Sequence, residues 1–251
     1  MHDMKTVGII GGSGLDKPEI LQNAKEVEVV TPYGNPSSTL KIGNIGNCKV
    51  VLLSRHGYSH QYSPTEVNYR ANIYAMKEQN VDVIIATTAC GSLRQEIGRG
   101  DFVLLNQFID FTKKRSNTFF DSFATGIAHP GMADPFDESL RKIILDNAHK
   151  LGIKIHPKGT VVTIEGPRFS TRAESRMFRS WGADVINMSI ATEASLANEL
   201  KIPYAAIAMS TDYDCWKEDE PPVSWEEVLS IFGKNANNVI ELLVSTINSL
   251  G

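Results

Sequence analysis

Tyr204-Ala-Ala-Ile-Ala-Met209 carries no charge and runs into Ser210-Thr-Asp-Tyr-Asp-Cys-Trp216. A run without polar alternation is the pattern of a strand covered on both faces, as in the sheets of α/β proteins. In an open α/β sheet the ligand lies beyond the carboxyl ends of the strands, and that is where Asp212 and Asp214 fall. One residue apart, they project to the same side if the extended geometry continues through them. An ionised carboxylate only accepts hydrogen bonds, whereas a protonated one also donates. A pair with split roles can hold an amino group with one acid and protonate a ring nitrogen with the other. For a D-x-D taken alone, a solvated acidic loop is the bland alternative.

Working outward, further apolar runs end in small, polar or cationic residues. Thr6–Ile10 leads to Gly11-Gly-Ser-Gly14, and Cys48–Leu53 to Ser54-Arg-His-Gly57. Val83–Ala89 leads to Cys90-Gly-Ser92, and Val161–Ile164 to Glu165-Gly-Pro167. Asp184–Asn187 leads to Met188-Ser189, while Phe102–Leu105 is shorter. Helix signals lie between them. Ser63-Pro-Thr-Glu66 reads as a capping box opening a helix to about Gln79. Asp137 caps a helix with Leu140, Ile143, Ile144 and Leu151 on one face, closed by Gly152. Thr171-Arg-Ala-Glu174 is a second capping box, and a last amphipathic helix runs from about Trp225 toward Ile247. The expectation is α/β: a single domain over residues 1–251, with a central mixed sheet flanked by helices.

The bounds agree. The chain has 251 residues and is 42% hydrophobic, enough for one large core. A net charge of −4 argues against nucleic-acid or anionic-membrane partners. The cysteines (Cys48, Cys90, Cys215) have no C-x-x-C spacing, so neither a zinc site nor a disulfide framework is expected. No signal peptide or membrane-length apolar stretch is read, and the expected location is cytoplasmic.

The strand ends suggest an oxyanion site. The glycine turn with Ser13 brings backbone N–H groups close to an anion, though it matches neither the dinucleotide fingerprint nor a P-loop. Arg55 offers a planar fork to phosphate and His56 a further bond; a structural Arg paired with a core-edge carboxylate is the alternative. Thr88, Ala89 and Ser189 add hydroxyls and a backbone N–H. No Mg²⁺-binding motif accompanies them, which suits free orthophosphate better than a nucleotide.

Taken together, Gly8–Leu15, Arg55-His-Gly57, Val67–Asn72, Thr87–Leu93, Thr163–Ser170, Arg172-Ala-Glu174, Gly182–Met188 and Thr211–Trp216 resemble the methylthioadenosine phosphorylases, within the trimeric purine nucleoside phosphorylases. The resemblance runs nearly end to end. It implies the phosphorylase fold, a homotrimer, and phosphorolysis of 5′-deoxy-5′-methylthioadenosine to adenine and 5-methylthioribose 1-phosphate. It implies no metal and no organic cofactor, orthophosphate being a co-substrate.

Residue by residue, the resemblance places Ser13, Arg55, His56, Thr88, Ala89 and Ser189 at phosphate and Met188 at the ribose. Phe169 and Ser170 fall at the base, Asp212 at N7 and Asp214 at the 6-amino group. It places His129, Val228 and Leu229 around the methylthio group, the last two as candidates for a neighbouring subunit's site. Trp225 stands there in place of a smaller apolar residue, and Ser189 replaces a common Thr. Ordinary core remains the alternative for Val228 and Leu229. Asp212 is the expected general acid. Two further readings stay open: a 6-oxopurine or methylthioinosine phosphorylase, against which the two Asp residues argue, and a non-catalytic nucleoside-binding protein.

Overall fold

In chain order the strands are β1 (Thr6–Gly11), β2 (Gln22–Val27), β3 (Leu40–Ile45), β4 (Cys48–Ser54), β5 (Val83–Ser92), β6 (Phe102–Leu104), β7 (Gln107–Phe111), β8 (Ile155–His156), β9 (Thr160–Ile164), β10 (Val185–Asn187) and β11 (Tyr204–Asp212). The helices are α1 (Tyr69–Glu78), α2 (Glu138–Lys150), α3 (Arg172–Ser180), α4 (Ile190–Glu199) and α5 (Trp225–Asn248). This computed structural model describes residues 4–11, 20–124, 126–219 and 224–251, with only the backbone at Trp225.

The strands form one mixed sheet in the order β2-β3-β4-β1-β5-β10-β9-β7, with β11 on β5, β6 on β11 and β8 on β6. Its centre is parallel: β1 pairs with β4 and β5, and β5 with β11. This is the α/β mixed-sheet class expected from the apolar runs, and the reason shows in β1. Val7 and Ile9 pack on one side with Leu140 and Ile144 of α2 and Leu242, Leu243 and Ile247 of α5. Ile10 packs on the other with Ile73 and Met76 of α1 and Ile190 and Ala194 of α4. Both faces are apolar because both are covered. At Gly8 a Cβ would lie 2.9 Å from Val81 Cγ1 and 3.1 Å from Met76 Sδ. A side chain at position 8 would therefore press on Val81 and on Met76 of α1.

One helix reading needs correction, and one helix went unread. The Ser63–Glu66 box does not open a helix. Ser63 N–H donates to Glu66 Oε2 at 3.0 Å, but α1 begins only at Tyr69, capped by Asn68 Oδ1 accepting from Ala71 N–H at 3.1 Å. The intervening residues are drawn sideways: Thr65 Oγ1 donates to Glu165 Oε1 at 2.5 Å and Pro64 O accepts from Tyr69 Oη at 3.0 Å. Conversely, α4 has no polar stripe to reveal it. Seven of its ten residues are buried, Thr192 and Glu193 among them.

Caps Asp137 and Thr171 stand as read, with Thr171 and Glu174 bonding reciprocally. Among the described residues no helix is long and apolar enough to cross a membrane.

Candidate active site

Strand β11 delivers the acid pair, though not by strand alternation. Its register with β5 shifts between Ser210 and Asp212. Asp214 then takes a left-handed backbone, φ +48°, a conformation Asp tolerates better than most residues. The expected extended geometry thus ends at Asp212. A tight turn closes instead, with Asp214 N–H donating to Asp212 Oδ1 at 2.7 Å and Thr211 Oγ1 to Oδ2 at 2.8 Å. Both carboxylates are 5% exposed and line one pocket.

Burial is the main cause that lifts the Asp212 carboxyl to about 6, against the two hydrogen bonds that lower it; the Asp214 charge adds to the rise. Burial also raises Asp214, opposed by the nearby Ser175 and Ser170 hydroxyls. Neither of those hydroxyls makes a full hydrogen bond among the described residues. Ser170 Oγ is thus a buried polar atom able to meet a ligand at the pocket wall.

Gly91 on β5 makes room for this arrangement. A Cβ there would lie 2.9 Å from Asp212 Oδ1 and 3.0 Å from Ile186 Cγ2. Gly91→Ala is therefore expected to push the Asp212 carboxylate aside and lower kcat/KM about 10²-fold, as misplacement by an ångström does. Steady-state kinetics beside an unchanged circular dichroism spectrum checks this.

The other end of the pocket is polar without being strongly cationic. His56, Thr88, Ala89 and Ser189 line it. His56 Nδ1 lies 2.9 Å from Tyr62 O, so the proton sits on Nδ1. Burial, then the nearby Arg55 charge, lowers the imidazole to about 4, leaving it neutral at pH 7. His60, with its own left-handed backbone, stacks on it at 4.5 Å and also lines the pocket. Thr88 Oγ1 accepts from Asn187 Nδ2 at 3.3 Å. Ser189 is the N-cap of α4, yet its hydroxyl makes no capping bond. A free hydroxyl at a helix N-terminus is suited to an anion. Sequence reading missed that terminus because α4 itself was not visible.

Arg55 is not among the residues that line the pocket, and its guanidinium is tied into the core. Its Nε donates to Glu193 Oε1 at 2.5 Å, Nη2 to Oε2 at 3.0 Å and Nη1 to Thr87 O at 2.9 Å, in a site where both side chains are essentially sealed from solvent. Tyr204 Oη also donates to Glu193, at 2.8 Å. The core-edge pair is thus present, with its carboxylate in the first turn of the unread helix α4. Glu193→Gln would leave the guanidinium buried beside a neutral partner. The expected loss is about 3–5 kcal/mol of stability, read as a fall in the urea midpoint.

His129 is exposed, edge-on to Phe123 at 5.3 Å, and does not line the pocket of its own chain. Phe169, Met188, Val228 and Leu229 do line it. So do Cys90, read from sequence as a small packing residue, and Phe232, which was passed over although it stands one turn beyond Val228 on the same helix stripe. Gly12, Ser13 and Gly14 lie outside the described residues, as does the Trp225 side chain. No cluster of His, Cys, Asp and Glu among the described residues could hold a metal.

A mixed α/β sheet with a buried acid pair at one strand end and an oxyanion-suited end across the same pocket defines a nucleoside-processing scaffold. The chain belongs to the Phosphorylase superfamily, whose family model matches residues 6–248. It is similar to "S-methyl-5'-thioadenosine phosphorylase" of Danio rerio, 54% identical over 244 residues, covering 96% of this chain and 87% of that one. The protein of the same name from Thermofilum pendens is 50% identical over 244 residues, 97% of this chain and 92% of that one. Among solved structures, methylthioadenosine phosphorylase from Schistosoma mansoni in complex with adenine superposes with a TM-score of 0.94 at 42% identity, covering 98% and 92% of the two chains. A mutant of the adenosine/methylthioadenosine phosphorylase of the same organism, in complex with methylthioadenosine, gives 0.93 at 41% identity over the same coverage.

Proposed function

We propose that the chain cleaves 5′-deoxy-5′-methylthioadenosine with orthophosphate, giving adenine and 5-methylthioribose 1-phosphate. The observation that carries this reading is the buried Asp212–Asp214 turn facing, across one pocket, the neutral His56 and the uncapped Ser189 hydroxyl. Relatives of the same name over nearly the whole chain support the substrate class.

The chemistry follows from charge. As the C1′–N9 bond breaks, positive charge grows on the sugar. A phosphate oxygen held by Thr88, Ala89 and Ser189 stabilises that charge and forms the new bond to C1′. His56 Nε2 is free to take a proton when the dianion arrives. Adenine leaves as a neutral molecule because the proton of Asp212 passes to N7. Asp214 accepts from the 6-amino group, Ser170 meets the base edge and Phe169 stacks on it. Met188 lies against the ribose, and Val228 and Leu229 against the methylthio group. Orthophosphate is a co-substrate, and the reading needs no metal or organic cofactor.

We further propose a homotrimer. Phe120, Phe123 and Ile127 are exposed on the segment that carries His129, which supports a neighbouring copy as their cover and a neighbour's pocket as the place of His129. One continuous sheet supports residues 1–251 as one domain. Three unpaired cysteines support a reducing, cytoplasmic compartment.

The test is to incubate the protein with methylthioadenosine, with and without orthophosphate, beside methylthioinosine and adenosine. Adenine is expected only with phosphate, and fastest from methylthioadenosine. Hypoxanthine from methylthioinosine in its place would overturn the base assignment, and no cleavage of any nucleoside would favour a binding protein.

A further inference from the structure

A charged pair behind the pocket wall fastens two of its pieces together. Arg99, in the turn before β6, bonds Glu227 through Nη1, with the two side chains 24% and 27% exposed. Glu227 sits in the first turn of α5, where its N–H donates to the capping Ser224 Oγ at 3.2 Å. The next two residues, Val228 and Leu229, are pocket wall.

The Arg99 end is held independently of the helix. Gly98 N–H donates to Asp101 Oδ2 at 2.9 Å, and the same carboxylate receives Lys154 Nζ at 2.7 Å and lies 2.9 Å from His156 Nε2. Gly100 N–H donates to Ser210 O at 2.7 Å, and Ser210 N–H to Asp101 O at 2.9 Å. The turn is thereby fastened to β11 two residues before Asp212. It meets α5 again further along, since a Cβ at Gly100 would lie 3.2 Å from Asn235 Nδ2. The loop that anchors the acid strand is therefore also the seat of the helix that closes the opposite side of the pocket.

We propose that the Arg99–Glu227 pair is a latch that sets how closely the Val228–Leu229 turn presses on the 5′ side of the ligand, making Arg99 a positioning residue for 5′-substituent preference. The inference rests on the pocket assignment above. Its physics is the steepness of dispersion: a radial gap below an ångström forfeits a quarter to a half of a contact. A methylthio group depends on those contacts, whereas a 5′-hydroxyl gains little from an apolar wall. Releasing the latch therefore acts on one substrate more than the other.

The experiment compares kcat/KM for methylthioadenosine and adenosine in wild type, R99M, R99K, E227Q and V228A. R99M and E227Q are each expected to lower the methylthioadenosine-to-adenosine ratio about fivefold, through KM with kcat within about twofold. R99K keeps a cation in reach of Glu227 and is expected to stay near the wild-type ratio. If R99M and E227Q lower both substrates equally, or leave the ratio unchanged while V228A lowers it, the latch is overturned and the pocket assignment survives. If V228A also leaves the ratio unchanged, the pocket assignment falls and the latch with it. Should R99M fold poorly, E227Q decides.

Discussion

Asp212→Asn is expected to lose catalysis and gain stability at once. An amide cannot donate a proton as an acid does, so kcat for methylthioadenosine should fall about 10²–10⁴-fold, the range for a general acid. The stability gain follows from linkage. Burial raises the folded-state carboxyl from 3.8 to about 6. A group raised in this way contributes stability that is fully present below about 3.8 and is lost as pH rises through about 6. At neutral pH the ionised, buried Asp212 costs on the order of 3 kcal/mol, the gap between those two values. Asparagine removes that cost. Its oxygen still accepts from Asp214 N–H, and its amide can donate to the Thr211 hydroxyl, which keeps its bond to Cys90 O. The melting temperature of the variant should exceed wild type by roughly 6–12 °C at pH 7.5 and match it near pH 4. In wild type, kcat/KM should fall about tenfold per pH unit above about 6 as the acid ionises, and this limb should vanish in the variant. Near wild-type turnover with the limb intact would remove Asp212 from the chemistry.

What the sequence revealed depended on whether a physical constraint left a local mark. Strands buried on both faces, such as β1, β5 and β11, must be apolar throughout, and they were legible. Edge and antiparallel strands carry no such obligation. All residues of β2 from Gln22 to Glu26 are exposed, and β7 is half-buried along its length, so neither stands out from a loop. Helix α4 was hidden for the opposite reason: a helix covered nearly all round has no amphipathic period to detect. That gap propagated into the site. Without α4, Glu193 had no place, and the carboxylate that pairs with Arg55 could not be named. The acid pair was legible because its residue types are rare at a buried strand end. Its geometry was not, because the register shift and the left-handed Asp214 depend on packing against Gly91 and Ile186 from other strands. Arg99 and Glu227 stand 128 residues apart, and nothing local links them.

Asp214→Asn is expected to turn base preference from a 6-aminopurine toward a 6-oxopurine. An ionised Asp214 offers only acceptors, which suits an exocyclic amino group and repels an exocyclic oxygen. Asparagine adds an N–H₂ donor that a 6-oxo group can use. The site then hydrogen-bonds the wrong partner for adenine and leaves a buried polar group unpaired when methylthioadenosine binds. The expected outcome is a fall of about 10²-fold in kcat/KM for methylthioadenosine and a rise of at least about tenfold for methylthioinosine. The variant should fold normally. Asparagine accepts the left-handed backbone at φ +48° as readily as Asp does, and the bond to Asp212 comes from the main-chain N–H of residue 214. Because Asp212 is untouched, the alkaline limb of the pH profile should persist, displaced slightly downward as the neighbouring negative charge is lost. That separates the two acids experimentally: one variant should change which base is released, the other whether any base is released. If Asp214→Asn left the ratio of the two substrates unchanged, Asp214 would not be reading the 6-position, and base choice would have to reside in Ser170 and Phe169.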